Sequence, residues 1–179
     1  MPSETFPTET EPVVIRGHTL FCLQGFRGEG YDRAFTDNMT AIHRQLQKRP
    51  DTRILISDRP DHFCAACPNL KGGQQALPGA AVGLGGIGGA PAPYGPPDHK
   101  GGCTLRSPNF EEHIVAQDRQ VLELLGLKVG QEVTWAEVLY RIGSRVRGEM
   151  LDGICGDCRW LSLGYCKEGI EALRMSNSF

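Results

Sequence analysis

No run of this chain approaches the ~20 consecutive apolar residues that span a bilayer, so a helical membrane span is not expected. The start of the chain has neither the basic residues nor the apolar stretch of a secretory signal, and it is too acidic for a mitochondrial presequence. Excess positive charge is also missing. A formal net charge of −2 gives no general drive toward nucleic acid or anionic membrane, and neither is expected as a partner. Ser162 stands outside any G-x-S-x-G setting, so a hydrolase nucleophile is unsupported.

Two further deficits concern nucleotides and disulfides. Gly83-Leu84-Gly85-Gly86-Ile87-Gly88 satisfies G-x-G-x-x-G by letter, but it lacks the preceding strand and following helix that would place a pyrophosphate on a helix N-terminus. A Gly/Ala/Pro run precedes it and Pro91 and Pro93 follow, so a dinucleotide site is excluded. The chain's seven cysteines are an odd number, which fits poorly with a fully paired disulfide scaffold. A cytoplasmic protein with reduced thiols is the expectation.

The cysteines themselves carry the positive signal. Six fall into two groups: Cys64-x2-Cys67 with Cys103, and Cys155-x2-Cys158 with Cys166. A Cys-x2-Cys turn brings two thiolates onto one ion or cluster, because the intervening residues fold the chain back on itself. Pro68 directly after Cys67 matches the C-P ending of bacterial ferredoxin motifs. Cys22 is the expected fourth partner of Cys64, Cys67 and Cys103, which leaves Cys155, Cys158 and Cys166 one ligand short. His18, four residues before Cys22, would share its helix face and is a further candidate ligand. His62 and His113 have weaker claims.

The expected cofactor is an iron–sulfur cluster, [4Fe–4S], in one or two copies, with zinc as the alternative that uses the same thiolates. Three functions follow. The first is electron transfer, alone or within a larger redox system, with a redox protein as partner. The second is an enzyme that uses an open-site three-cysteine cluster as a Lewis acid or sulfur carrier. The third is a zinc-stabilised interaction module. No catalytic residue is legible.

Periodicity predicts a mostly α fold with one or two short strands (α+β), a small cysteine-rich metal-centred domain. One domain covers residues 13–175, between tails at 1–12 and 176–179. Residues 72–102 hold 11 Gly and 5 Pro and read as an inserted loop. A helix is expected from Arg33 to Lys48 with Asp32 as N-cap, and a strand over residues 53–57. Capping boxes are expected at Asn109 with Glu112 and at Thr134 with Glu137, with Gly126 as a helix stop. A last helix is expected from Lys167 to Met175. Arg141, Arg145 and Arg147 read as a solvated helix face.

Four segments together resemble the family called domain of unknown function 1284. They are Arg16-Gly17-His18-Thr19-Leu20-Phe21-Cys22, then Gly25-Phe26-Arg27-Gly28-Glu29-Gly30-Tyr31, then Cys64-x2-Cys67-Pro68, and finally Cys155-Gly156-Asp157-Cys158-Arg159-Trp160 with Gly164-Tyr165-Cys166. The resemblance covers most of residues 13–175 and implies iron–sulfur cluster binding, but it supplies no reaction. The chain departs from the family pattern at Thr19, where a second histidine is common, and in the Gly/Pro-rich stretch.

Overall fold

The computed structural model describes residues 11–71 and 102–177. The nucleotide-like Gly83 to Gly88 run, nearly all of the Gly/Pro-rich segment and most of the N-terminal tail lie outside these residues.

Strand β1 (Val13–Arg16) runs directly into helix α1 (Gly17–Gly25). Helix α2 (Arg33–Lys48) follows, then strand β2 (Arg53–Ser57). β1 and β2 pair in parallel, Val13 opposite Ile54 and Arg16 opposite Ser57. After the segment outside the described residues come helix α3 (Phe110–Leu125), strand β3 (Glu132–Thr134) and helix α4 (Trp135–Arg145). β3 adds antiparallel to β2, which gives the sheet order β1-β2-β3. The short helix α5 (Leu151–Ile154) and helix α6 (Tyr165–Ser176) complete the chain. The fold is therefore mostly α with short strands. Among the described residues there are three strands rather than one or two.

Several local rules are visible in the atoms. Asp32 caps α2 by accepting from the Phe35 amide at 2.8 Å, and Thr134 caps α4 by accepting from Glu137 at 3.2 Å. Gly126 takes the left-handed conformation, φ 65°, and stops α3. The expected box at Asn109 is not made, because its side chain forms no cap hydrogen bond. Arg141 is not simply solvated. Its guanidinium donates to the Leu125 and Gly126 carbonyls and so satisfies the end of α3. On α2, Phe35, Met39, Ile42 and Leu46 are buried at helical spacing. They share one core with Ile15, Ile54, Val121, Leu125, Val138, Ile142 and Ile170.

Helix α1 positions the site because it is clasped at both ends through glycines. A Cβ on Gly17 would collide with the Asp118 carbonyl of α3, and one on Gly25 would collide with the Cys166 amide of α6. Only backbone-to-backbone approach fits in these places. The helix is thereby fixed between α3 and α6.

Candidate metal centre

The C-terminal cysteines are gathered by a succession of tight turns. The Cys155 amide donates to Leu151 at 2.7 Å, and the Cys158 amide donates to the Cys155 carbonyl at 2.8 Å. A 3-10 turn over Leu161–Leu163 leads to Gly164, whose φ of 78° admits the chain to α6. Cys166 stands in the first turn of that helix.

Cys22 faces this group. Its thiol is pushed well above its ordinary pKa by burial and then by Cys166, Cys158 and Cys155 in turn. Cys155 is pushed up to about 12 by burial, with Cys158 and Cys166 adding to it and a hydrogen bond with Gln117 opposing. Cys166 is pushed up to about 11 by burial and by Cys158. Cys22, Cys155 and Cys166, from three parts of the chain, thus each sense neighbouring sulfurs. Phe26, Met39, Trp160 and Tyr165 line a depression beside Cys22 and Cys166 and give it an apolar wall.

This placement corrects the expected grouping. Cys22 lies beside Cys155, Cys158 and Cys166, not beside the Cys64, Cys67 and Cys103 with which its spacing grouped it. The cause is the docking of α1 on α6 through Gly25 and through Gly169, where a Cβ would meet the Gln24 carbonyl. Cysteine spacing carries no information about that docking.

The first group is built from the end of β2. Asp61 is fully buried, and one of its carboxylate oxygens accepts from the amides of Phe63 (2.9 Å) and Cys64 (3.0 Å). That bond set winds the 3-10 turn Cys64–Ala66, and the Cys67 amide closes it onto the Cys64 carbonyl at 2.9 Å. Cys103 returns beside this loop through an antiparallel bridge with Leu70. Amide bonds from Lys71 to Gly102 and from Thr104 to Asn69 hold it there. Burial pushes Cys67 up to about 11, and Cys103 contributes in the same direction. Cys64 is pushed well up by burial and by Asp61, while Arg16 acts the other way.

Arg16 is the centre of a buried polar network. Its side chain is 1% exposed, and its Nε donates to Asp118, itself 0% exposed, at 2.7 Å. Nη2 donates to Glu111 at 2.8 Å and Nη1 reaches the Cys64 sulfur at 3.8 Å. Glu111 also accepts from the Cys103 amide at 2.7 Å. Burial opposes the charge on Arg16, but Cys64, Asp118 and Glu111 outweigh it and raise its pKa. His18 joins on the far side, where its backbone amide (2.8 Å) and Nδ1 (2.7 Å) both meet the same Asp118 oxygen. His62 is structural, because its Nδ1 accepts from the Val14 amide at 2.9 Å. His113 is half-exposed, 3.5 Å from Asp157.

Asp118 and Glu111 do not figure among the residues that the motifs single out. The signal for Asp118 is present all the same. It falls on the apolar stripe of α3, between Ile114 and the buried Val121, Leu122 and Leu125, where a charge demands a partner.

The two cysteine sets are neighbours. Tyr31 has its pKa raised by burial and then by Cys67, Cys103, Cys158 and Cys22, two residues from each set. Its ring packs 4.8 Å from Trp160 and 5.1 Å from Phe35. Among the described residues, no three His, Cys, Asp or Glu side chains converge closely enough to hold a single metal ion.

Raised thiol pKa values fix the direction of a pH effect. These thiols are protonated at neutral pH, so a metal that ligates them must displace their protons. Affinity for a soft probe ion such as Cd2+ is expected to climb steadily from about pH 6 to pH 9, roughly tenfold per unit for each proton displaced. A competition titration with a chromophoric chelator measures it, and a flat profile would show that the thiols are already ionised. In the metal-free chain the same shifts stabilise the fold below about pH 8.5 and are lost as pH rises through 11–12.

One family model matches the chain over residues 30–79 and 92–164, and its description is "Protein of unknown function (DUF1284)". The matched stretches contain Cys64, Cys67, Cys103, Cys155 and Cys158, but neither Cys22 nor Cys166. No curated protein and no solved structure matches the chain. Among the described residues, no helix is long and apolar enough to cross a membrane.

Proposed function

The chain belongs to the DUF1284 family of proteins of unknown function, and for it we propose iron–sulfur cluster binding with a role in electron transfer. The observation that carries the reading is the close approach of α1 to the first turn of α6, which sets Cys22 and Cys166 on the wall of one depression, with Cys155 and Cys158 near enough to raise the Cys22 pKa. Four soft thiols from α1, the 155–158 turn and α6 supply a full cysteine complement for one [4Fe–4S] group. Their own electrostatics favour that occupant. Each ionised thiol raises the pKa of its neighbours, a repulsion that bound iron relieves.

A cluster held there supplies one-electron oxidation and reduction. The chain's own residues supply its surroundings. Trp160 and Tyr165 limit water at Cys22 and Cys166, and exclusion of water tunes a cluster's potential. Gln117 holds the 155–158 turn by donating to the Ile154 carbonyl at 2.9 Å, and it also hydrogen-bonds Cys155. Leu163, 44% exposed on the rim, leaves an apolar edge where a redox partner can approach the site.

Anaerobic purification followed by iron, zinc and acid-labile sulfide analysis tests the reading. Brown protein with iron and sulfide in equal amounts is the expected result, together with a paramagnetic signal on reduction. Colourless protein with stoichiometric zinc and no sulfide would sink it, and would establish the zinc-stabilised module instead.

A further inference from the structure

The apolar depression beside Cys22 and Cys166 has one carboxylate on its wall, that of Glu29. One of its oxygens accepts from the Arg27 amide at 2.9 Å, across a turn that Gly28 makes with φ 108°. Among the described residues, no Lys, Arg or His side chain pairs with Glu29, and the Arg27 guanidinium goes to Glu168 instead. A half-buried carboxylate against apolar walls gains from a cation. Its charge reaches the sulfurs as well, because it adds to the rise in the Cys22 and Cys166 pKa values.

The rings of the same rim take cations on their faces. Arg27 lies over Tyr165, 3.9 Å from the ring centre, and Arg159 lies 6.0 Å from the centre of Trp160. Arg159 is exposed and has no carboxylate partner among the described residues, so in number it offsets Glu29. The sulfurs then decide the sign of the field. Four thiolates outweigh the positive iron–sulfide core that they enclose, so the loaded site is an anion. Exposed Leu163 gives the same edge its apolar surface.

We propose that Glu29, Trp160 and Tyr165 form the docking site for a basic redox protein, which sets a lysine or arginine side chain on Glu29. The inference rests on the cluster reading above, which supplies the anion. A long basic side chain suits the place, because its stem can lie on Leu163 and Trp160 while its head meets the carboxylate. An acidic carrier would meet like charge at this edge.

Two small oxidants of opposite charge test this on anaerobically purified protein, once iron and sulfide have been assayed. The reduced protein passes one electron to hexaammineruthenium(III), a cation, or to the iron(III) complex of EDTA, an anion. Stopped-flow absorbance follows each transfer. The rate with the cation is expected to fall as salt is added, and the rate with the anion to rise. Glu29→Gln is expected to slow the cation roughly threefold to tenfold at low salt, with iron content unchanged. Glu123→Gln, on an exposed position of α3, should leave that rate as it is. In the oxidised protein, redox-inert hexaamminechromium(III) should broaden the nuclear resonance signals of the Trp160 and Tyr165 rings. Loaded protein with salt slopes of the opposite sign overturns the proposal, as do rings left sharp or a Glu29→Gln protein with the wild-type rate. The slopes and the broadening need no variant. Protein free of iron and sulfide would instead overturn the cluster reading itself.

Discussion

Cys22→Ala is expected to remove about half of the protein's iron and sulfide, and the same half that Cys155→Ala or Cys166→Ala removes. Cys64→Ala and Cys103→Ala are expected to remove the other half. The expectation follows from which thiols sense one another. Cys22 is affected by Cys166, Cys158 and Cys155, whereas Cys67 is affected by Cys103. Motif spacing would pair Cys22 with Cys64 and its neighbours, so the two groupings predict opposite spectra for a single variant. Loss in Cys22→Ala of the signal that Cys64→Ala removes, with the signal that Cys155→Ala removes preserved, would return Cys22 to the first set and overturn the four-cysteine C-terminal site. Loss of all iron from every variant would mean that the two groups share one cluster. Iron and sulfide per chain, with the reduced spectrum of each variant, separate these outcomes.

Most of the secondary structure was legible because it depends on neighbours in the sequence. The apolar spacing of Phe35, Met39, Ile42 and Leu46, bracketed by Asp32 and Pro50, locates α2 to the residue. Residues 53–57 alternate enough between core and surface to read as a strand. β3 has only three residues, and Val133 alone is buried, so it carries no readable alternation. Its existence depends on pairing with β2. The last helix begins at Tyr165, two residues before the expected start, because Gly164 turns the chain directly into it. The cysteine motifs were legible for a similar reason, since each Cys-x2-Cys turn closes through a local backbone hydrogen bond. What could not be read was the assembly of the site across distant elements. The position of Cys22 depends on Gly25 and Gly169 letting α1 and α6 meet. The orientation of His18 depends on Asp118, a hundred residues away in the chain.

Arg16→Met is expected to destabilise the protein by about 3–5 kcal/mol, seen as a lower midpoint in denaturant with an unchanged slope. Methionine fills much of the volume, so the loss comes from charge and not from a cavity. It would leave Asp118, fully buried, with its charge unanswered on the side that Nε occupied, and Glu111 without its bidentate partner. The Cys64 thiol would also lose the one cation that acts to lower its pKa. Asp118→Asn should cost less, about 1–3 kcal/mol, because an amide still hydrogen-bonds but cannot balance Arg16. The two variants differ further at the metal. Asp118→Asn keeps the side chain's shape and leaves the contact of Arg16 with the Cys64 sulfur in place, so iron content should be retained. Arg16→Met disturbs Cys64 directly, so cluster loss and instability should appear together. A cost below about 1 kcal/mol for Arg16→Met would show that water reaches these charges and that the network is not the buried support its burial implies.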